Sequence, residues 1–308
     1  MRILLPLICI ALTASPAWSH PGPGILVNGS GQVYFVDGVR HRIMRVDADG
    51  KLSTFVRGED GKTLSVPHHL AIDDAGNLYS VGDRDSAVWR ISPEAKLTKI
   101  YPPAGSKGKA VIGSGGDPFT RDAKGNLYSV AREQFRRAEI IKISPDGRAT
   151  VLAGGAWGHA DGRGVRARFG DLHGAGFAWT ADGSLLVTDS GSSVRRIAPD
   201  GTVITLAGGP TRGFADGPAA GAMFDGACGL AVDEAGDILV ADIGNRRIRK
   251  ITKGGRVSTL PSKSPFDRPA GVAVGKGGAV YVLDYSRDDP RVRRLRSDGA
   301  VTTVAEIR

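Results

Sequence analysis

A glycine-led motif recurs along the chain and constrains the fold more than any other feature of the sequence. Its six copies begin 42 to 58 residues apart, at Gly31, Gly76, Gly125, Gly183, Gly236 and Gly278. Self-similarity at such a period, with insertions between the units, is the signature of a repeat architecture. A chain of this kind is expected to fold by stacking similar units rather than around one irregular core.

Each unit contains four short strand-like segments. In the fifth unit they are GLAV, DILVAD, RIRKI and RVSTL, separated by DEAG, IGN and TKGG. Short runs of Val, Ile and Leu between Gly, Asp and Asn predict antiparallel strands joined by tight turns. The third segment alternates Arg with Ile, which predicts a strand with its apolar side inward and its basic side in solvent. Four-stranded sheets at this period predict an all-β, six-bladed β-propeller with four antiparallel strands per blade and almost no helix.

The pattern GLAVDxxGxILVADxxNxRIxKI resembles the NHL repeat. Two linkers, GGAWGHADGRGVRARF and GGPTRGFADGPAAGAMF, place ADG at one distance ahead of A-x-F, as NHL chains do between blades. The resemblance covers residues 24 to 304 and weakens in units two and three, where VAD becomes VGD and VAR. The resemblance implies that the chain acts as a platform for interactions with other molecules.

The first unit begins with its innermost strand and the last ends with its outermost, so we expect blades 1 and 6 to close the ring by packing.

The N-terminal residues predict an exported protein. Residues 1–19 have a positive start at Arg2, an apolar stretch, and small residues at Ala17 and Ser19, as in a cleaved signal peptide. We therefore expect residues 20–308 to form a single propeller domain that is periplasmic or secreted. No apolar run within them approaches the length of a membrane span. Cys228 would be the sole cysteine of the mature chain, and such a thiol is more often a small core residue than a nucleophile.

The chain is basic, with a formal net charge of +9 that becomes +8 when Arg2 leaves with the signal peptide. The arginines recur at one place in the repeat, as in SVRRI, NRRIRK and RVRRLR. This favours a solvated basic face, and it leaves an anionic polymer as a partner for a basic rim. A protein or glycan partner is also open, and nucleic acid is not expected.

A carboxylate ends the second strand in five units, at Asp37, Asp83, Asp189, Asp242 and Asp284. A residue that recurs at one structural position is most simply a turn former that accepts hydrogen bonds from backbone amides of the next turn. Catalysis by any one of them is the weaker alternative. The alternating ligands of a calcium loop are absent from the sequence.

Function in a propeller gathers where the innermost strands begin, because six loops converge at that mouth of the central channel. The aligned residues there are Pro23, His68, Asp117, Ala175, Cys228 and Ala270. We predict a binding site at the channel mouth, formed by His68, His69, Asp117, His173 and Cys228. Its imidazole and carboxylate groups suit one divalent metal ion, with His68, Asp117 and His173 as candidate ligands.

Three enzyme families with related propellers match these residues only in part. Peptide-amidating lyases have histidines at several of the aligned positions, and here only His68 occupies one. Gluconolactonase-like propellers have a Glu, an Asn and an Asp, and here only Asp189 in LLVTDS matches. Streptogramin-lyase-like propellers have a His and Glu pair that this sequence does not match.

The favoured hypothesis is therefore a module that binds a protein, glycan or anionic ligand at the channel mouth. The alternative is a metal-assisted, lactonase-like hydrolase or a lyase at the same place, so enzymatic activity stays open.

Overall fold

The chain folds into six antiparallel sheets that follow one another along the sequence. The computed structural model describes residues 23–58, 64, 67–82, 86–102, 116–133, 136–287 and 289–307. Each sheet is built from consecutive strands, which confirms the six-bladed propeller that the repeat predicts. Within these residues the helical segments are the 3₁₀ turns Gly164–Arg166, Ala219–Gly221 and Lys276–Gly278. None of the helices in that part of the chain could cross a membrane.

Blades 1 to 3 each contain four strands, which run in sequence order from the innermost to the outermost. Blade 1 comprises Ile25–Val27, Val33–Asp37, Arg42–Val46 and Leu52–Arg57. Blade 2 comprises Ala71–Ile72, Leu78–Val81, Val88–Ile91 and Leu97–Tyr101. Blade 3 comprises Thr120–Arg121, Leu127–Glu133, Arg137–Ile143 and Ala149–Ala156. The expected signal peptide, Asp83 and most of the Gly-rich loop before Asp117 lie outside the described residues.

Blades 4 to 6 repeat the same order. Blade 4 comprises Phe177–Trp179, Leu185–Asp189, Ser193–Ile197 and Thr202–Gly208. Blade 5 comprises Ala227–Val232, Ile238–Asp242, Arg247–Ile251 and Arg256–Thr259. Blade 6 comprises Pro269–Gly275, Ala279–Ser286, Asp289–Leu295 and Val301–Glu306. Two short strands from the ADG linkers, Gly162–Arg163 and Gly217–Pro218, pair with the outermost strands of blades 4 and 5. They cover edges that would otherwise expose unpaired backbone groups.

The carboxylates of the DEAGD segment are part of a hairpin turn. Gly236 N donates to Asp233 O at 2.8 Å, and Gly236 has a φ of 80°, which favours glycine. The Asp233 carboxylate accepts from Asp237 N at 2.8 Å, and the Asp237 carboxylate accepts from Lys253 N at 3.0 Å. Asp233 therefore stabilises the turn between the first and second strands of blade 5, as the sequence predicts, and Asp237 joins this turn to the one between the third and fourth strands.

The ring closes by packing of blade 1 against blade 6, and this expectation is confirmed. Phe35 and Val36 of blade 1 share one buried apolar cluster with Leu283 and Tyr285 of blade 6. The Tyr285 hydroxyl lies 3.5 Å from the carbonyl oxygen of Val36. Each of the two blades is completed by its own four strands, so no strand exchange joins them.

The recurring second-strand aspartates are structural. Asp37 accepts from Arg40 N of the next turn at 3.4 Å, as predicted, but the partners in blades 4 and 5 differ from the prediction. Asp189 and Asp242 are fully buried, and each accepts a hydrogen bond from a backbone amide at 2.9 Å, donated by Gly170 and Asp225 respectively. These amides belong to the linker ahead of the blade, not to the next turn. Each carboxylate therefore fixes its own blade to the segment that precedes it.

Buried arginines complete this arrangement in blades 4 and 5. Arg195 pairs with Asp189 at 2.7 Å and with Asp161 of the first ADG linker at 2.9 Å. In blade 5, Arg249 pairs in the same way with Asp242 at 2.8 Å and with Asp216 at 2.6 Å. The aromatic residues of the A-x-F segments lie against the two guanidinium groups, Phe169 at 5.2 Å and Phe224 at 5.0 Å.

The expectation that the basic side of the third strand faces solvent is wrong for these two residues. Arg195 and Arg249 are each 0% exposed. The alternating pattern gave a wrong prediction because a guanidinium can be buried when carboxylates and carbonyl groups accept hydrogen bonds from its N–H groups. We call each set of a second-strand Asp, a third-strand Arg, a linker Asp and a linker Phe an interblade clasp.

Candidate functional site

Four glycines mark where neighbouring blades come closest around the channel. Each glycine comes directly after one of the aligned residues at the channel mouth. The carbonyl group of the aligned residue in the next blade faces it. An added Cβ would lie 2.3 to 2.7 Å from that oxygen, for the pairs Gly24 and His68, Gly176 and Cys228, Gly229 and Ala270, and Gly271 and Pro23. No side chain fits at such a distance, so glycine is required at this interblade position in blades 1, 4, 5 and 6.

Blades 2 and 3 depart from this rule, since His69 and Pro118 occupy the interblade position. The His69 ring is buried, with Nε2 at 3.4 Å from the carbonyl oxygen of Gly116 in blade 3. Burial, together with the nearby His68 and His173, lowers the pKa of His69 to about 3, and the Gly116 hydrogen bond opposes this shift. His69 is therefore neutral at physiological pH and helps to form the wall of the channel mouth.

A chain of hydrogen bonds links the beginnings of four innermost strands. The Gly116 carbonyl oxygen faces His69 of blade 2 and accepts from Gly174 N of blade 4 at 2.9 Å. The Gly174 carbonyl oxygen accepts from the Cys228 thiol of blade 5 at 2.9 Å. The structure thus brings His69, His173 and Cys228 together. His68 is half-buried beside them, and its carbonyl oxygen accepts from Gly24 N at 3.0 Å.

Asp117 and His173 lie side by side, but an arginine that the sequence analysis missed contacts both. Arg132 Nε donates to Asp117 Oδ1 at 2.6 Å, and Arg132 Nη2 lies 3.1 Å from His173 Nδ1. Because a guanidinium only donates, His173 Nδ1 is the acceptor and its ring carries the proton on Nε2. The signal for Arg132 was available, since the VAR element of unit three has an arginine next to the position at which other units have the second-strand aspartate.

The contacts of Arg132 with Asp117 and His173 compete with the binding of a metal ion by these two side chains. Asp117 Oδ1 and His173 Nδ1 are 3.9 Å apart, but both already interact with the Arg132 cation. Across the described ranges no group of three or more His, Cys, Asp or Glu side chains is placed to hold a metal ion. A metal bound by His68, Asp117 and His173 would require the Arg132 guanidinium to move away.

A cavity of about 350 Å³ opens at the channel mouth over blades 4 and 5 and reaches Arg268 of blade 6. Its polar lining includes His173, Asp171, Asp225, Arg212 and Arg268. The Asp171 carboxylate accepts from His173 N at 3.0 Å, which holds the loop that presents the imidazole. A volume of this order suits a ligand of about the size of a monosaccharide or an amino acid.

Cys228 lines this mouth cavity, as predicted, but its thiol is held in an unreactive state. The side chain is buried, and burial raises the pKa of the thiol to about 12. Its proton is donated to the Gly174 carbonyl oxygen. Cys228 therefore acts as a small wall residue and not as a nucleophile, which is the more common role that the sequence predicts for a lone cysteine.

Two further arginines of the cavity were not found from the sequence. Arg212 donates from Nε and Nη2 to the Ser190 carbonyl oxygen, at 3.1 and 2.9 Å, and its Nη1 lies 3.7 Å from Asp225 Oδ1. Arg268 donates to the Arg287 carbonyl oxygen at 3.2 Å and forms no ion pair with any carboxylate in the described residues. Both lie in linkers of irregular length, where counting from the motif glycine gives no register.

Comparison with known proteins adds one relative in sequence. No protein-family model matches the chain. It is 35% identical over 250 residues to the chloroplastic protein SUPPRESSOR OF QUENCHING 1 of Arabidopsis thaliana. The match covers 70% of this chain but 22% of that protein, so the chain spans about a fifth of the length of this relative.

Solved structures with the same fold are diverse in function. Virginiamycin B lyase of Staphylococcus aureus has a TM-score of 0.57 at 17% identity, with 92% of this chain and 84% of that chain covered. An auxiliary nutrient binding protein of Bacteroides thetaiotaomicron has a TM-score of 0.66 at 13% identity, with 93% and 70% covered. A gluconolactonase of Xanthomonas campestris has a TM-score of 0.57 at 14% identity, with 85% and 82% covered. Likenesses at this level of identity establish that the chain shares the six-bladed β-propeller fold of these proteins.

Proposed function

We propose that this chain is an exported NHL-repeat propeller that binds a small, polar, sugar-like ligand at its channel mouth. The mouth cavity carries the proposal, because Arg212, Arg268, Asp225 and His173 from blades 4 to 6 line a space of about 350 Å³. Binding pockets combine such a concave shape with a few converging polar groups. The proposed NHL membership rests on the recurring motif and on the interblade clasps that its Asp, Arg and Phe residues form.

The charges of the mouth cavity favour a hydroxyl-rich ligand over a strongly charged one. Its two arginines are balanced by Asp171 and Asp225, so that donors and acceptors are both available. A sugar presents hydroxyl groups that donate and accept in turn. Arg268, which lacks an ion pair among the described residues, is the strongest donor available to such a ligand.

Titration calorimetry with neutral monosaccharides, uronic acids and amino acids tests this proposal. The Arg268→Ala variant is expected to weaken binding of a responding ligand by about tenfold or more, because it removes a charged hydrogen-bond donor. Arg166→Ala is the matched control, since Arg166 is exposed on a 3₁₀ turn outside the cavity. Equal affinities of the two variants, or no binding by the wild-type chain to any member of the panel, would contradict the proposal.

A lyase or a lactonase-like hydrolase is the alternative, and the placement of His173 is the observation that favours it. His173 lines the mouth cavity and carries its proton on Nε2, with Arg132 and Asp117 behind Nδ1. An imidazole held in one tautomer can act as a general acid. The lyase and the gluconolactonase among the structural neighbours also support this alternative.

Assays of lactone hydrolysis, combined with elemental analysis of the purified protein, separate the alternative from the binding function. Turnover that is lost in His173→Ala, or a stoichiometric divalent metal, would favour the enzyme. Binding of a sugar without turnover and without metal would favour the binding module. Substitution of Cys228 by Ala is expected to leave either activity in place, because its thiol stays protonated.

A further inference from the structure

We propose a second ligand site, for an acidic sugar, on the face of the propeller opposite the channel mouth. The innermost strands begin at the mouth, so they end at the opposite face. A cavity of about 590 Å³ lies there, where the innermost strands of blades 3 and 4 end. We call it the far-face pocket. It shares no lining residue with the mouth cavity, so the inference does not depend on the function proposed for the mouth.

The repeat itself shows that this pocket departs from the common blade. The residue four positions before the motif glycine ends the innermost strand, and it is β-branched and apolar in four blades, as Val27, Ile72, Val232 and Val274. In blades 3 and 4 the same position is occupied by Arg121 and Trp179. Both line the far-face pocket. Two adjacent substitutions of this kind are not needed to build a blade, because the other four blades form without them.

An oriented aromatic ring provides the apolar surface of the pocket. Trp179 is half-buried, and its Nε1 donates to Thr120 Oγ1 at 3.2 Å. Its ring meets the edge of Tyr128 at 4.9 Å between centroids and 76° between planes. Leu152, Leu185 and Ile197 extend the apolar lining. Because its polar atom is satisfied and its ring is held, Trp179 offers a preformed surface for a flat ligand face.

Three cations line this pocket, and the Arg121 cation also acts electrostatically on the Asp73 carboxylate, which is not part of the pocket lining. Arg121, Lys124 and Lys142 line the pocket, and none of them forms an ion pair with a carboxylate in the part of the chain that the structure describes. The Arg121 guanidinium lies 4.9 Å from the ring centroid of Tyr79, and Lys142 Nζ lies 6.0 Å from that of Tyr128. These ring contacts hold the two cations in position without neutralising their charge.

The two carboxylates of the pocket are already engaged elsewhere. Asp122 Oδ2 accepts from Asn126 Nδ2 at 2.7 Å and from the Tyr128 hydroxyl at 3.0 Å. Asp182 pairs with Arg196. The donors of the pocket therefore exceed its acceptors, which favours a ligand that brings its own negative charge.

A second cavity of about 380 Å³ continues this surface over blades 2 and 3. It shares Arg121 and Lys124 with the far-face pocket and adds Arg90 and Tyr79. The two cavities together span blades 2 to 4, and their cations lie on blades 2 and 3. This extent fits a short oligomer with an acidic group on each unit.

An acidic saccharide of the uronic-acid type meets these conditions best. One face of a sugar ring is apolar enough to stack on Trp179, and its carboxylate can reach the surrounding cations. A single-stranded nucleic acid would require successive stacking platforms. The far-face pocket offers a single stacking platform, because Tyr128 is only 6% exposed and meets Trp179 by its edge.

Calorimetric titration with a galacturonate trisaccharide tests the site. We expect Lys142→Glu and Trp179→Val each to weaken binding by about tenfold or more, since one reverses a contacting charge and the other removes the stacking surface. Trp179→Val introduces the residue that blades 1, 5 and 6 have at this position, so the blade should be retained, and the unfolding midpoint checks this. Lys276→Glu is the control, a charge reversal in the turn after the innermost strand of blade 6 and outside both cavities, and it should change affinity by less than about twofold.

Three further binding measurements distinguish an acidic-sugar site in the far-face pocket from a neutral-sugar site, from binding at the mouth and from a nucleic-acid site. An uncharged galactose trisaccharide should bind at least about tenfold more weakly than the galacturonate trisaccharide. The Arg268→Ala variant of the mouth should bind the acidic trisaccharide as the wild type does. The proposal is overturned if the acidic trisaccharide does not bind, or if both pocket variants bind it normally. It is equally overturned if Arg268→Ala abolishes binding, or if a thymidine oligonucleotide binds more tightly than the sugar.

Discussion

Blades 4 and 5 differ from blades 2 and 3 in how they hold their neighbours, and the difference separates architecture from function. Blades 4 and 5 contain complete interblade clasps, in which Arg195 and Arg249 are buried against aspartates. Counted from the motif glycine, the position of the clasp aspartate holds Gly82 in blade 2 and Ala131 in blade 3, so Asp83 lies one residue beyond the position to which the sequence analysis assigned it. The residues aligned with the two arginines are then Trp89 and Ile141, both buried.

The two members of the pair are therefore lost together. A buried arginine without its carboxylate, or the reverse, leaves an uncompensated charge, which costs more than replacing both by apolar groups. The blades without clasps supply the unusual side chains, His69, Asp117 and Arg132 at the mouth and Arg121 on the opposite face. They meet groups from the blades with clasps at both sites, His173 and Cys228 at the mouth and Trp179 on the opposite face.

Removal of one clasp arginine is expected to have the largest effect on stability. Arg249→Met leaves Asp242 buried without its cation and should lower the free energy of unfolding by about 3–5 kcal/mol. Urea denaturation measures this value. Arg247→Met, at an exposed residue two positions before Arg249 in the same strand, should cost less than about 1 kcal/mol.

The double variant Arg249→Met with Asp242→Leu sharpens this comparison. It makes blade 5 resemble blades 2 and 3, so its loss of stability should be smaller than the sum of the two single losses. Additive losses would show that the pair is not coupled and that the loss of both residues in blades 2 and 3 has another cause.

His69 should make the stability of the protein depend on pH on the side of the ring that lacks clasps. Its pKa is about 3 in the folded protein and about 6.5 in the unfolded chain, so the unfolded chain binds the extra proton first. Stability is therefore lost as the pH falls from about 6.5 toward about 3, and this group causes no further loss below that. The loss should reach about 3–5 kcal/mol and should be absent from His69→Gln. Parallel pH profiles of the two proteins would refute this role of His69.

Enlargement of a glycine at the interblade position should cost less than the loss of a clasp. In Gly229→Ala the new Cβ would lie 2.7 Å from the Ala270 carbonyl oxygen, so two innermost strands must move apart, at about 1–3 kcal/mol. Gly254→Ala is the control, because the atom nearest to a Cβ added there would be Thr252 Oγ1 at 3.7 Å. Thermal unfolding of both variants provides the measurement, and equal midpoints would contradict the close approach of blades 5 and 6.

The smallest effect is expected at Cys228. With its pKa raised to about 12, the thiol should not react with iodoacetamide at pH 8 in the folded protein, and it should react once the protein is unfolded in urea. Mass spectrometry of the alkylated protein detects the difference. Rapid labelling of the folded chain would show that the mouth cavity exposes an activated thiol.

Much of the fold could be predicted because the repeat fixes local geometry. The strands of blade 5 coincide with the predicted segments, and the DEAGD turn forms as expected. Alignment on the motif glycine also placed His69, Asp117, His173 and Cys228 near one another at the mouth. Arg212 and Arg268 could not be found in this way, because they lie in linkers whose lengths differ from blade to blade.

The sequence by itself determined the number of blades, the order of their strands and the end of the channel at which loops converge. These features depend on periodicity and on turn residues, which act within a few positions of the chain. Only the tertiary structure decided that Arg195 and Arg249 are buried, that Arg132 joins Asp117 to His173, and that Trp179 faces a cationic pocket. Such contacts depend on how neighbouring blades and linkers pack once the ring closes. The residue pattern of one strand does not specify which residue of the next blade or linker will contact it.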